Sequence, residues 1–364
     1  MTPPRVAVVG LGYGRAHLPA FQAQGCPVVA VCQRDEVAAR AVAKRYGVDQ
    51  VFARWEDMLE RARPDIVVVA TPPHLHRPIA LAAFAAGAHV LCEKPLAMSA
   101  AEGREMIAAA RRAGRVAMTA FNWRTPAAMQ RFHDLAAGGA LGRPFHLAAR
   151  WVNPRWADEA AAGTWRMNRA EAGLGAMGDQ GVHLVDLVQW TFGPIARVCA
   201  QAGIAYPSRT APGAAGPADA EDFCTVLAET ASGLQATLAV SRVANGINEH
   251  GIEAHGSAGA LGYRLGRDTA RWWTGEVRAA KPGELLRPLP LDGTGPDIAD
   301  PDQLDVVGRA TIAPLAARML RAIETGEPAE PSLEDGLRAQ AVLDAVLQSL
   351  ARRAWVDVAQ APAG

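Results

Sequence analysis

Short β-branched runs recur through the first third of the chain: Val6–Val9, Val28–Cys32, Ile66–Ala70, His89–Cys92 and Val116–Thr119. The stretches between them are long enough for crossover helices, and such βαβ order predicts a parallel sheet covered by helices on both faces. Ligands of such a sheet sit beyond the carboxyl ends of its strands, so the loops after those strands matter most. After an amphipathic helical stretch around Pro126 to Ala136, a strand is expected over Phe145–Trp151. From Val198 onward the pattern turns to strands with short breaks, at Phe223–Glu229, Leu234–Ser241, Ile247–His255, Leu261–Leu265 and Thr269–Thr274. Successive hairpins of this kind make an antiparallel or mixed sheet. One face of it must pack on helices, including Thr311–Glu324 and Leu333–Arg352, leaving the other to solvent or to a second subunit. The fold class expected is therefore α/β: an N-terminal Rossmann doubly wound parallel sheet, plus a C-terminal α+β domain with a large open-faced, mostly antiparallel sheet. The expected boundary falls near residue 120, giving a dinucleotide-binding domain over 1–120 and a substrate-binding and oligomerisation domain over 121–364. The stretches 205–220 and 281–302 are rich in Pro and Gly, lack periodicity and read as surface loops.

Composition narrows the partners. Half of the 364 residues are hydrophobic, so a large core is available, and a length of this order suggests two domains. Lys and Arg number 37, as do Asp and Glu, which removes the electrostatic footprint of a nucleic-acid binder and points to a small substrate. The odd set Cys26, Cys32, Cys92, Cys199 and Cys224 is scattered and mostly within apolar runs, which reads as buried thiols in a reducing compartment. No zinc-type spacing appears and no metal is expected. The first apolar run, Val6–Val9, is too short and too weakly preceded by charge for a signal peptide, and the alanine-rich stretches fall well short of a bilayer span. No membrane association is expected, and the expected location is the cytoplasm.

Chemistry enters at the first loop, Gly10-Leu11-Gly12-Tyr13-Gly14-Arg15-Ala16-His17, which follows a strand and precedes a helical stretch beginning near Arg15. Glycines there let the backbone turn tightly and approach a pyrophosphate. The regular fingerprint would place its third glycine at position 15, which is Arg15; Gly14 comes one residue early, and the turn reads as shortened by one. At the end of the second strand, where an NAD-preferring site usually carries an acidic residue for the ribose hydroxyls, this chain has Gln33-Arg34. A neutral amide does not repel a 2'-phosphate and the guanidinium can bind it, while Asp35 reads as the N-cap of the next helix. NADP is the cofactor expected, ahead of NAD.

The run Gly178-Asp179-Gln180-Gly181-Val182-His183-Leu184-Val185-Asp186 supplies a candidate acid–base group. Residues four apart on a helix share a face, so Asp179 can hold His183 in one tautomer while the ring accepts a proton. Asp186 can reach the same face, to cap or to orient. A lysine beside them would complete an alcohol-oxidising site, and Lys94, in Glu93-Lys94-Pro95, emerges from a buried strand at the ligand-bearing edge of the parallel sheet.

These segments together resemble the Gfo/Idh/MocA oxidoreductases, a family that includes glucose-fructose oxidoreductase and inositol dehydrogenases. Ala70-Thr71-Pro72-Pro73-His74-Leu75-His76 is similar to its Ala-Thr-Pro loop, Glu93-Lys94-Pro95 to its most recognisable signature, and residues 175–186 to its catalytic helix. Asn122-Trp123-Arg124 resembles its Asn-x-Arg segment, and Trp165-Arg166 a segment that closes over cofactor or substrate. The resemblance implies Lys94, Asp179 and His183 as catalytic groups. It implies a dinucleotide held by Gly10, Gly12, Tyr13, Gly14, Gln33, Arg34, Thr71, Pro72, His74, His76, Glu93, Lys94, Asn122, Trp165 and Arg166. Local readings stand beside it: His76 as a cap or packing histidine, and Trp165-Arg166 as an aromatic–arginine stack that holds its own loop. The activity implied is NAD(P)-dependent hydride transfer at a secondary alcohol or ketone of a sugar, cyclitol or derivative. A non-redox sugar-processing enzyme with bound dinucleotide, or a dinucleotide-binding regulator, is the alternative on the same fold. A homodimer or homotetramer is the assembly the family implies.

Overall fold

The computed structural model describes residues 2–210, 217–268, 271–291, 298 and 302–359. The chain divides into two compact units, residues 1–125 with 296–337, and residues 126–295 with 338–364. The first unit carries six parallel strands, β1 (Val6–Val9), β2 (Val28–Cys32), β3 (Gln50–Phe52), β4 (Ile66–Val69), β5 (His89–Cys92) and β6 (Ala117–Thr119). They lie in the order β3-β2-β1-β4-β5-β6, so the chain reverses direction across the sheet between β1 and β4, and this reversal opens the crevice in which doubly wound sheets take their ligands. Its central strands are buried along their whole length, as expected of a sheet covered on both faces.

The division differs from a single cut near residue 120, because 296–337 belongs to the first unit. The reason is an apolar stripe: Leu315, Ala316 and Met319 of the helix Ala313–Thr325 share one core with Val6, Leu18, Phe21 and Val31. β3 also escaped the pattern reading, being three residues long and holding only two apolar positions.

The second unit carries a nine-stranded sheet made of β7 (Pro144–Val152), β8 (Ile195–Gly203), β9 (Phe223–Thr230), β10 (Gln235–Ser241), β11 (Glu249–Gly256), β12 (Gly259–Gly266), β13 (Glu276–Ala280), β14 (Arg287–Pro288) and β15 (Val356–Asp357). The order is β14-β13-β12-β11-β7-β10-β9-β8-β15, and every neighbouring pair is antiparallel except β7 with β10. Alternation sorts the two faces. Leu147, Ala149, Val226, Leu238, Ile252 and Leu261 are buried on one, whereas Phe223 and Leu227 of β9 stand 43% and 49% exposed on the other. The strand expected over Thr269–Thr274 is not one where described: Trp272–Thr274 is a 3-10 turn, closed by Gly275 at φ 72° and held by buried Trp272 and Trp273, with the Arg267 guanidinium over the Trp272 ring; residues 269 and 270 lie outside the described residues. The loop expected over 281–302 contains the short β14.

All five cysteines are free thiols, and burial pushes those of Cys32 and Cys224 up to about 12, so they are inert at neutral pH. Among the described residues no helix is long and apolar enough to cross a membrane, and no group of three or more His, Cys, Asp or Glu side chains is placed to hold a metal ion.

Candidate active site

In the first unit the glycine loop follows β1. Gly10 has φ 90° and lies so close to β4 that a Cβ there would overlap the Ala70 carbonyl; a Cβ at Gly12 would meet nothing within 4 Å. Gly14 sits against β1 and β4, where a Cβ would stand only 2.7 Å from the Ala70 Cβ. The three glycines thus divide the work as a dinucleotide loop requires: one for the turn, one leaving room for a pyrophosphate to approach the backbone, one for close packing. The early third glycine falls within a 3-10 turn, Tyr13–Ala16, and the α-helix starts only at His17. The residues present therefore fit a dinucleotide.

At the end of β2, Gln33 Oε1 accepts the Leu11 N–H at 3.1 Å, and Asp35 Oδ1 accepts the Ala38 N–H at 3.0 Å as the N-cap of the helix Glu36–Tyr46. Arg34 is exposed. After β4, Thr71 and Pro72 are half-buried, and His74 is exposed in the 3-10 turn Pro73–Leu75. His76, which opens the next helix, is fully buried, its ring between the Thr71 carbonyl (2.8 Å) and the Pro95 carbonyl (3.0 Å). After β5, the Lys94–Pro95 peptide is cis, and Lys94 is half-buried. Glu93 is buried, 2.8 Å from the buried His17 ring, and its second oxygen accepts the Lys94 N–H at 3.3 Å. After β6, buried Asn122 donates to the Thr311 hydroxyl at 2.7 Å and stands 3.5 Å from the Tyr13 hydroxyl.

Thr311, Asp302 and His17 were missed by sequence reasoning. Arg15 of the glycine loop pairs with Asp302 at 3.3 Å, and Gly308 packs so closely on Ala16 that a Cβ would strike its carbonyl oxygen. These partners lie at opposite ends of the chain, and no local spacing signals them.

In the second unit the candidate acid–base helix begins with a π-helical turn, Met177–Gly181, and continues as α-helix over Val182–Phe192. The wider turn, a form frequent at functional sites, carries Asp179. Its start is fixed by Glu221, whose backbone carbonyl accepts the Ala176 N–H at 2.8 Å and whose carboxylate accepts the Met177 N–H at 2.9 Å. Burial pushes the Glu221 carboxyl above its ordinary range, and the bonds from backbone N–H groups work against that.

Arg166 Nε lies 3.4 Å from Asp179 Oδ2, and the Arg166 guanidinium also stacks over Trp165 at 4.3 Å, so the aromatic–arginine stack is present and also reaches the helix. Buried Arg242, paired with Asp222 at 2.8 Å, donates to the Arg166 carbonyl at 3.0 Å and so holds that loop from below. His183 and Asp186 are buried. The Trp151 ring faces His183 at 5.4 Å and stacks on His250 at 4.4 Å; His250 Nε2 is 2.9 Å from the Tyr263 hydroxyl.

Burial pushes the His250 pKa down to about 3, with Arg267 adding to the effect. The folded value lies below the unfolded value of about 6.5, so as pH falls through that value the unfolded chain takes a proton that the native chain refuses. Stability is complete above about pH 6.5 for this group, then declines towards pH 3 by up to about 1.4 kcal/mol per unit. Between pH 7.5 and 5 the loss from His250 is about 2 kcal/mol, read as a fall in the urea midpoint; His250→Gln flattens that decline, and an unchanged slope in the variant would refute the assignment.

Comparison with known proteins agrees with this anatomy. Residues 4–121 match the oxidoreductase family model with an NAD-binding Rossmann fold, and residues 129–262 match the GFO/IDH/MocA C-terminal domain. Levoglucosan dehydrogenase of Pseudarthrobacter phenanthrenivorans is 29% identical, over 98% of this chain and 98% of its own. The crystal structure of an oxidoreductase domain protein from Kribbella flavida superposes with a TM-score of 0.86 at 31% identity, covering 99% of this chain and 100% of that one. A levoglucosan dehydrogenase in complex with NADH and L-sorbose superposes with a TM-score of 0.88 at 28% identity, covering 99% and 100%. With both halves matched and the fold shared end to end, the chain belongs to the Gfo/Idh/MocA oxidoreductases and is an NAD(P)-dependent enzyme acting on CH–OH groups.

Proposed function

We propose that this chain interconverts a secondary alcohol and its ketone on a sugar, cyclitol or related polyhydroxylated molecule, with Lys94, Asp179 and His183 handling the reacting oxygen. The observation that carries the reading is the helix after Gly175: Asp179 is held by Arg166 at 3.4 Å on the same short run as His183, whose ring lies under the Trp151 face. Likeness to an enzyme named for levoglucosan supports a sugar as the substrate class. When bound, the dinucleotide accepts hydride from the alcohol carbon or returns it. His183 takes the hydroxyl proton, Asp179 favours the imidazolium that results, and Lys94 donates a hydrogen bond to the oxygen and stabilises its developing negative charge. In reduction the same groups act in reverse.

Cofactor choice follows from residues 33–35. Gln33 is engaged by the glycine loop and one Asp35 oxygen caps its helix, so the exposed Arg34 offers a cation at the end of β2 that favours NADP. The deciding experiment is a panel of polyols, aldoses and inositols scanned for reduction of NADP and NAD. At least one member is expected to be oxidised with net formation of reduced nicotinamide, and silence across the panel with both dinucleotides would refute the function. Arg34→Ala is expected to raise the NADP dissociation constant about tenfold and leave that of NAD within about twofold; wild-type binding of NAD tenfold tighter than NADP would reverse the preference.

The exposed face of the nine-stranded sheet presents Phe223 and Leu227, 43% and 49% accessible. We infer that a second copy covers it, giving a homodimer or homotetramer. Light scattering at micromolar protein tests this: a strict monomer rejects it, and Leu227→Glu is expected to shift the assembly towards monomer.

A further inference from the structure

The loop that carries Lys94 is tied to the neighbouring strand's loop by a histidine that belongs to a helix. His76 opens the helix His76–Ala85, is fully buried, and directs each ring nitrogen at a main-chain carbonyl. Nε2 is 2.8 Å from the Thr71 oxygen, in the loop after β4; Nδ1 is 3.0 Å from the Pro95 oxygen and 3.3 Å from that of Leu96, in the loop after β5. Carbonyl oxygens only accept, so each of these contacts is a bond only while the ring nitrogen facing it carries the proton. The contacts to Pro95 and Leu96 are buried and that to Thr71 part-buried, and a buried main-chain carbonyl is costly to leave without a donor, which makes the ring the natural tie between the two loops.

We propose that His76 is a positioning residue for Lys94: its imidazole staples the lysine-bearing loop to the Thr71–Pro72 loop and so sets where the ammonium stands. The inference deepens the assignment of Lys94 to the reacting oxygen and rests on it. His76 then acts through the two loops, not by touching the dinucleotide. Burial disfavours a charge on the ring while the Thr71 carbonyl and the nearby Glu93 carboxylate favour it, so in the neutral state a single N–H serves one loop at a time. Both sides of the staple are therefore separable by mutation. Asn at 76 keeps a donor near the place of Nδ1, facing Pro95, and Gln keeps one near the place of Nε2, facing Thr71.

The test compares His76→Phe, His76→Asn and His76→Gln with the wild-type enzyme by two readouts. Hydrogen exchange of the amides of Glu93, Lys94, Leu96 and Ala97 needs no substrate. In His76→Phe it is expected to quicken about tenfold or more, with smaller increases in the amide variants. With the panel polyol of highest turnover, kcat in His76→Phe is expected to fall about tenfold to a hundredfold, since a displacement near 1 Å suffices for that. KM and the NADP dissociation constant are expected to stay within about threefold, and Asn and Gln each to recover part of kcat. Unchanged exchange in His76→Phe overturns the proposal. So does a kcat within about twofold of wild type, or an affinity for NADP that falls in step with kcat. Equal losses in all three variants would make the role one of ring packing and would also overturn it. Should His76→Phe fail to fold, wild-type exchange and kcat in both amide variants would do the same. An enzyme silent on every polyol removes the function but leaves the exchange result to decide the staple.

Discussion

Lys94→Ala and His183→Ala are each expected to lower turnover by about a hundredfold or more, the share that a positioned acid–base or electrostatic group contributes, with dinucleotide binding retained. The glycine loop, Gln33 and Arg34 stand apart from both side chains in the sequence, and neither substitution removes a donor from that loop. Lys94→Arg is not expected to restore the rate, because a planar guanidinium delivers its protons in a fixed fork instead of as a compact ammonium. The measurement is single-turnover and steady-state kinetics beside a dinucleotide titration. Both alanine variants working at the wild-type rate would remove these residues from the chemistry; loss of dinucleotide binding in parallel with rate would reassign Lys94 to cofactor holding.

Gly175→Ala is expected to cost about 1–3 kcal/mol of stability, the range for forcing atoms into a filled space, and to depress turnover with it. The added methyl would fall on the Glu221 carbonyl, and the neighbour that must give is backbone. The Gly175 carbonyl accepts the Asp179 N–H at 2.9 Å, so any shift is passed to the residue proposed to favour the imidazolium. Gly12→Ala is the contrasting case. Its methyl meets nothing within 4 Å in the folded chain, so stability is expected to hold within about 0.5 kcal/mol while affinity for the dinucleotide drops. Urea midpoints and dinucleotide titrations of the pair separate the two kinds of glycine; equal stability losses would refute the distinction.

Much of this arrangement was legible because local chemistry dictated it. The strands of the parallel sheet are runs of Val and Ile buried on both faces, and the glycines at 10 and 14 stand where a side chain would strike Ala70, while Gly12 faces open space. Asp35 was readable as a cap from its place before a helical stretch. What escaped was fixed at a distance. Nothing near Thr311 says that it will accept from Asn122, and nothing near Glu221 says that its carboxylate will begin a helix far upstream of it. Trp272 and Trp273 have strand-forming side chains, yet their burial and the positive φ of Gly275 select a tight turn. The π-helical turn at Asp179 is likewise not signalled by the sequence, since five residues are too few to reveal a departure from a 3.6-residue period.

The late segment that returns to the parallel sheet has a bearing on engineering. Leu315, Ala316 and Met319 complete the core beneath β1, and Asp302 and Thr311 brace Arg15 and Asn122. A chimera that borrows the nucleotide-holding half from a relative must therefore splice in two pieces of gene, the opening 125 codons and a cassette spanning 296–337. Exchange of the front piece alone would graft a foreign sheet onto a buttress shaped for another.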